Sequence, residues 1–204
     1  MNVTIFDYGA GNLHSLAKAL ERDGTAVAVE TDPVRAAQSD VLVLPGVGAF
    51  GSATDRLAPG REDMRRAILG GLPTIGICLG MQLLFDDSEE GAGVGLGIIA
   101  GRVTKLHAAR IPQIGWNGVE PAAGEPLFAA APLPIAYFAN SFVCRPDDEG
   151  AVIAWSEHEG DRFASAVRAG SALGVQFHPE KSSADGVRFL HAFLDEAAAM
   201  TGSR

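Results

Sequence analysis

The sequence predicts an α/β protein: a doubly wound, mostly parallel sheet with helices on both faces, joined in the second half by a small antiparallel sheet. Three observations carry that expectation. Short apolar runs alternate with helically patterned stretches up to Phe85, as parallel strands require, because each crossover lays a helix on the sheet. Residues 74–82 (TIGICLGMQ) read as strand, sharp turn and helix with Cys78 on the turn. Beyond Phe85 the alternation gives way to pieces punctuated by Pro112, Pro121, Pro126, Pro132, Pro134 and Pro146, a pattern of short antiparallel strands and loops. At 204 residues and 47% hydrophobic, the chain suits one domain over residues 1–204 with a substantial core.

Taken in order, residues 3–6 are the first strand, followed by Tyr8-Gly9-Ala10-Gly11-Asn12 and a helix through Leu13, Leu16, Ala17 and Leu20. A glycine loop there can cradle an anion, but it lacks the full dinucleotide fingerprint and a phosphate-loop lysine, so tight turns explain it. Strands over 27–29 and 41–44 flank a short helix over 33–37, and 52–69 carry a helical pattern interrupted near Pro59-Gly60. Gly70-Gly71 lead into a strand over 74–77 and a helix over 79–85. Strand-like pieces follow at 98–106, 116–120, 135–138, 152–155, 163–168 and 173–176. Residues 185–199 close the chain as an amphipathic helix, with Val187, Leu190, Leu194 and Ala198 at helical spacing.

Three motifs carry chemistry. Gly76 and Gly80 flank Cys78, and a G-x-nucleophile-x-G turn between strand and helix pushes one side chain into an exposed, strained position that small neighbours make room for. A thiol at a helix N-terminus is favoured as thiolate by the dipole and free N–H groups. Residues 174–183 (GVQFHPEKSS) bring His178 and Glu180 directly after an apolar strand. Their i, i+2 spacing lets an extended segment aim both the same way, an imidazole facing Cys78 with a carboxylate behind it. Pro45-Gly46-Val47-Gly48 follows the third strand, at the edge where ligands bind in such sheets. Backbone N–H groups of that loop and of Leu79 can face a developing oxyanion. A cysteine peptidase would use the same triad, and a non-catalytic module would treat Cys78 as a small buried hydrophobe.

A net charge of −9 disfavours nucleic acid and anionic membrane as partners. Two cysteines, Cys78 and Cys144, one of them in an elbow, point to a reducing compartment. No apolar run approaches membrane-spanning length and no leader precedes the first strand, so a cytoplasmic protein is expected.

Together these motifs resemble the class I, triad-type glutamine amidotransferases, a flavodoxin-like family in which G-I-C-L-G-x-Q carries the nucleophile and H-P-E the base and its orienter. The similarity extends to the glutaminase subunits of imidazole glycerol phosphate synthases through DYGAGN at 7–12, LPGVGAF at 44–50, SEEG at 88–91, GWN at 115–117 and FHPEKSS at 177–183. The resemblance implies that Cys78 attacks the side-chain amide of L-glutamine, that His178 relays protons and that Glu180 holds its tautomer. It further implies that Gln82 and Glu90 contact glutamine, with Ser141 lining the pocket. Asn12, Trp116 and Lys181 lie where the family docks a separate (β/α)8 cyclase subunit as a heterodimer. That subunit joins the ammonia to N′-phosphoribulosyl formimino-aminoimidazole-carboxamide ribonucleotide in histidine biosynthesis, giving imidazole glycerol phosphate and an aminoimidazole ribonucleotide. No metal and no cofactor are implied. The sequence departs from the family pattern at Gln113 and Asn140, where histidine is usual, and at Phe142, where an aromatic hydroxyl is common. An amidotransferase subunit serving another ammonia acceptor, and a docking module of the same fold, are the alternatives.

Overall fold

Strands covered on both faces must be apolar at successive positions, and Val41–Leu44 and Thr74–Ile77 are buried along their whole length. The computed structural model describes residues 1–9 and 13–201. Among them the strands are Asn2–Phe6 (β1), Ala26–Glu30 (β2), Val41–Leu44 (β3), Thr74–Ile77 (β4), Asp87–Ser88 (β5), Gly101–Lys105 (β6) and Gln113–Gly118 (β7). Glu120–Pro121 (β8), Ile135–Asn140 (β9), Phe142–Pro146 (β10), Val152–His158 (β11), Asp161–Ala169 (β12) and Ala172–Val175 (β13) complete them. The helices are His14–Leu20 (α1), Pro33–Ala36 (α2), Phe50–Leu57 (α3), Arg61–Leu69 (α4), Leu79–Gln82 (α5), Pro126–Ala130 (α6) and Ser183–Thr201 (α7).

The main sheet runs β2-β1-β3-β4-β13-β12-β11-β8. Its first five strands are mutually parallel, and β12, β11 and β8 continue it antiparallel. A smaller sheet, β10-β6-β5, and an antiparallel pair, β7-β9, complete the second half. Alternation along the strands splits the core in two. Val41, Val43, Ile75, Ile77, Leu173 and Val175 face α1 and α7 through Leu16, Leu20, Leu190 and Leu194. Leu42 and Leu44 face α3 and α4 through Phe50, Leu57, Met64 and Ile68. The parallel sheet with helices on both faces is therefore the expected one.

Two local expectations change. The helix expected over 79–85 stops at Gln82. Leu83, Leu84 and Phe85 are all fully buried, which one face of a helix cannot achieve, and the carbonyls of all three accept from Leu96, Ile98 and Gly97 at 2.7, 2.8 and 3.2 Å instead of continuing the ladder. The run over 173–176, grouped with the antiparallel pieces, pairs parallel to β4, because the chain returns along β12 to fill the slot beside the elbow strand.

Candidate active site

β3, β4 and β13 are parallel neighbours, so the residues that follow them emerge at one edge, where doubly wound sheets bind ligands. Those residues are Pro45-Gly46, Cys78 and Gln176-Phe177-His178.

Cys78 sits at φ 47°, ψ −102°, a conformation that a side chain bearing a Cβ adopts only when its surroundings impose it. Its N–H donates to Val175 O at 2.7 Å and its carbonyl accepts from Gln82 N at 3.1 Å. The flanking glycines are required by contact. A Cβ on Gly76 would stand 2.4 Å from Gly80 O, and one on Gly80 would stand 2.0 Å from Leu44 O. β3, β4 and the elbow thus meet backbone to backbone. Since α5 is a single turn, its dipole is small, and the partners of the sulfur lie elsewhere. Gln176 Nε2 donates to Cys78 Sγ at 3.5 Å, and His178 lines the same cavity as the thiol and interacts with it electrostatically.

His178 is anchored through its own N–H, which donates to Tyr137 O at 2.8 Å. The preceding Phe177 is held between the rings of Phe138 and Phe189, at 5.9 and 5.7 Å between centroids. The extended segment expected to aim His178 and Glu180 is instead a turn. Pro179–Lys181 is one 3-10 turn starting from extended His178, because proline fixes the φ that opens it. Ser182 Oγ donates to His178 O at 2.7 Å, and the turn brings Glu180 Oε1 to 2.8 Å from His178 Nδ1. Both side chains are buried, 2% and 8% exposed.

Burial by itself would lower the His178 pKa, but its hydrogen bonds and charge interactions with Cys78 and Glu180 outweigh that and push it up to about 9. The folded value lies above the ~6.5 of a free imidazole. The resulting stabilisation is fully present below that pH and is lost as pH rises through about 9. The difference in unfolding free energy between the chain and a His178→Asn variant is therefore expected to shrink by up to about 3 kcal/mol over that window in urea melts. A difference that does not change with pH would show that no imidazolium is stabilised in the fold.

Above Cys78 lies a cavity of about 300 Å³. Gly46, Val47, Gly48, Leu79, Gln82, Glu90, Ser141 and His178 line it with Cys78, and Lys181 stands exposed at its rim. The imidazole crowds Gly46, where a Cβ would stand 2.8 Å from His178 Cε1. Gly48 has φ 127°, which glycine alone tolerates readily. Glu90 accepts from Phe50 N at 2.9 Å through Oε2, so it closes the start of α3 as well as lining the cavity. Gln82 Nε2 and Asn140 Nδ2 both donate to Phe142 O, at 3.3 and 3.2 Å. Glu180 stands behind His178, outside the cavity lining. Trp116 lies away from the cavity, 53% exposed on β7 with Ile114 at 68%, and Asn12 falls outside the described residues.

Sequence reasoning missed Gln176, although its signal was present: a polar residue inside a buried strand-like run, two and four positions before His178 and Glu180. It also missed that Gln113 and Asn140 are partners, directly opposite in the β7–β9 register. Both are buried, and their side-chain oxygens have no hydrogen-bond partner among the described residues.

A doubly wound sheet with a cysteine in a strained elbow, an imidazole in the same cavity and a carboxylate on that ring's Nδ1 defines a cysteine–histidine–glutamate α/β protein. Residues 4–197 match the family model of glutamine amidotransferase class-I, and the chain belongs to that family. Relatives include the imidazole glycerol phosphate synthase subunit HisH of Symbiobacterium thermophilum, 46% identical over 92% of this chain and 91% of that one. The protein of the same name from Halobacterium salinarum is 40% identical over 97% and 94%. Among solved structures, a glutamine amidotransferase superposes with TM-score 0.74 at 21% identity over 96% of this chain and 98% of that one. PurLQS from Thermotoga maritima superposes at 0.71 and 20% over 96% and 98%. At that identity the two structures speak for the fold.

Proposed function

We propose that this chain is the glutaminase subunit of an imidazole glycerol phosphate synthase, hydrolysing L-glutamine to glutamate and handing the ammonia to a (β/α)8 cyclase subunit. The observation that carries the reading is His178, paired with Glu180 through Nδ1 and lining one cavity with Cys78, Gln82 and Glu90. Cys78 Sγ attacks the carboxamide carbon, and the resulting oxyanion is met by backbone N–H groups of the loop over 46–48 and of Leu79. The C–N bond breaks as the departing nitrogen takes a proton from His178, leaving ammonia and a glutamyl thioester. His178, now neutral, deprotonates the water that attacks the thioester, and glutamate leaves as Sγ is restored. Glu180 holds the tautomer with Nδ1–H directed at Oε1.

Ammonia in neutral water is mostly ammonium and no nucleophile, so a glutaminase that feeds a synthase must deliver it without release. The exposed apolar face of the β7–β9 pair suits a docked partner: Ile114, Trp116 and Ile135 stand out to solvent, with Trp116 edge-on to Tyr137 at 6.2 Å. Ala139 continues that pair into the cavity. Lys181, exposed and without an ion pair among the described residues, adds a charge at the rim, and Asn12 is assigned to the same interface on its sequence match. With 204 residues as one domain and both cysteines free, the chain would work in the cytoplasm. Among the described residues no helix is long and apolar enough to cross a membrane.

The test is glutamate release by the purified chain, alone and with a cyclase subunit and its ribonucleotide. Strong stimulation by that pair supports the reading; hydrolysis indifferent to the cyclase would assign another ammonia acceptor, and none in any mixture would leave a docking module. Trp116→Ala is expected to weaken cyclase binding roughly 30-fold, as central interface tryptophans do. An unchanged Kd in a calorimetric titration would move the docking face away from β7.

A further inference from the structure

We infer that Tyr8 is a positioning residue for the oxyanion loop, its hydroxyl pinning the Pro45–Gly46 peptide as the fixed root from which Val47 and Gly48 present their N–H groups to the cavity. The inference rests on the glutaminase reading.

Tyr8 follows β1 and is buried, 4% exposed, with its ring edge-on to Phe6 at 5.9 Å. Its hydroxyl donates to the carbonyl of Pro45. In a trans peptide the C=O and N–H lie in one plane and point in opposite directions, so a donor on Pro45 O also sets the direction of the Gly46 N–H. His178 bounds the loop from another side, close enough that a Cβ on Gly46 would stand 2.8 Å from its Cε1. Downstream, Gly48 holds φ 127°, a conformation that glycine adopts readily and few other residues do. An oxyanion hole works because its donors are aimed before charge develops, and a loop that is rich in glycine needs an anchor to stay aimed. Burial, and then the nearby charge of Cys78, push the Tyr8 hydroxyl well above its usual pKa. It therefore stays a neutral donor at any working pH.

Tyr8→Phe keeps the ring and removes only the donor. With cyclase and ribonucleotide present, kcat for glutamate release is expected to fall about tenfold or more, below the 10²–10³ of losing a hole donor outright, while KM for glutamine stays within about twofold. Alkylation of Cys78 by iodoacetamide, followed on its tryptic peptide, should keep its rate. That displacement forms S–C and breaks C–I at a tetrahedral carbon, with no oxyanion. A urea melt of the variant beside the parent gives the folded fraction under assay conditions, so partial unfolding cannot pass for a lower kcat. An unchanged kcat overturns the proposal. Parallel losses in kcat and alkylation also overturn it, by placing Tyr8 in support of the elbow and not of the loop. A wild-type chain that releases no glutamate in any mixture sinks the glutaminase reading, and the proposal with it, while a Tyr8→Phe effect confined to alkylation sinks the proposal alone.

Discussion

Replacing Cys78 by alanine is expected to lower glutamate release on the order of 10⁴-fold or more, to the level of the uncatalysed background, while leaving cyclase binding unchanged. Triad members act as a unit, so losing the nucleophile removes nearly all that the group contributes. The structural cost is small. Cys78 holds the elbow through its backbone, to Val175 O and Gln82 N, and alanine keeps both bonds. Among the described residues Gln176 Nε2 donates to its Sγ at 3.5 Å, a single weak contact for alanine to lose. The check is glutamate release with cyclase and ribonucleotide, read beside a calorimetric titration of the complex. Residual turnover within tenfold of the parent would remove Cys78 from the mechanism, and loss of the complex would make it a structural residue.

Gly80→Ala carries the largest expected effect on stability. A methyl at that position would stand 2.0 Å from Leu44 O and 2.8 Å from Leu44 Cβ, and the atom it meets first is backbone in the middle of the parallel sheet, paired in register with Gly76. No rotamer change relieves such a contact. Either β3 or the elbow must shift, at a cost of about 3 kcal/mol or more, at the upper end for overpacking. Urea denaturation measures it directly, and a loss under about 1 kcal/mol would show that the elbow is not clamped against β3. Any shift also displaces Cys78 from His178, so the variant's glutaminase rate should fall further than its stability accounts for.

Much of the fold was legible because its signals are local. The apolar runs at β3 and β4 are buried throughout, and the interruption at Pro59-Gly60 is a 3-10 turn between α3 and α4. The last helix is present with two residues added before residues 185–199 and two after. The site was legible for a different reason: a positive-φ nucleophile, its flanking glycines and a His-Pro-Glu turn are each contiguous, and Gln82 and Glu90 came from family resemblance. What escaped was non-local. The helix after Cys78 ends early because carbonyls of Leu83, Leu84 and Phe85 are claimed by amides over ten residues away, and α6 is a five-residue turn of helix inside a proline-rich stretch.

By itself, then, the sequence determined most of the elements, the identity of the chemical groups and their membership of one family, since those depend on spacing along a few residues. Only the tertiary structure decided which groups meet. β13 enters the sheet beside β4 after an antiparallel detour through β11 and β12, and that placement alone brings His178 to Cys78 across a separation of a hundred residues. Tyr8 reaches Pro45, and Gln113 faces Asn140, for the same reason. Pairing between distant strands is set by how the whole core fills, and no local pattern encodes it.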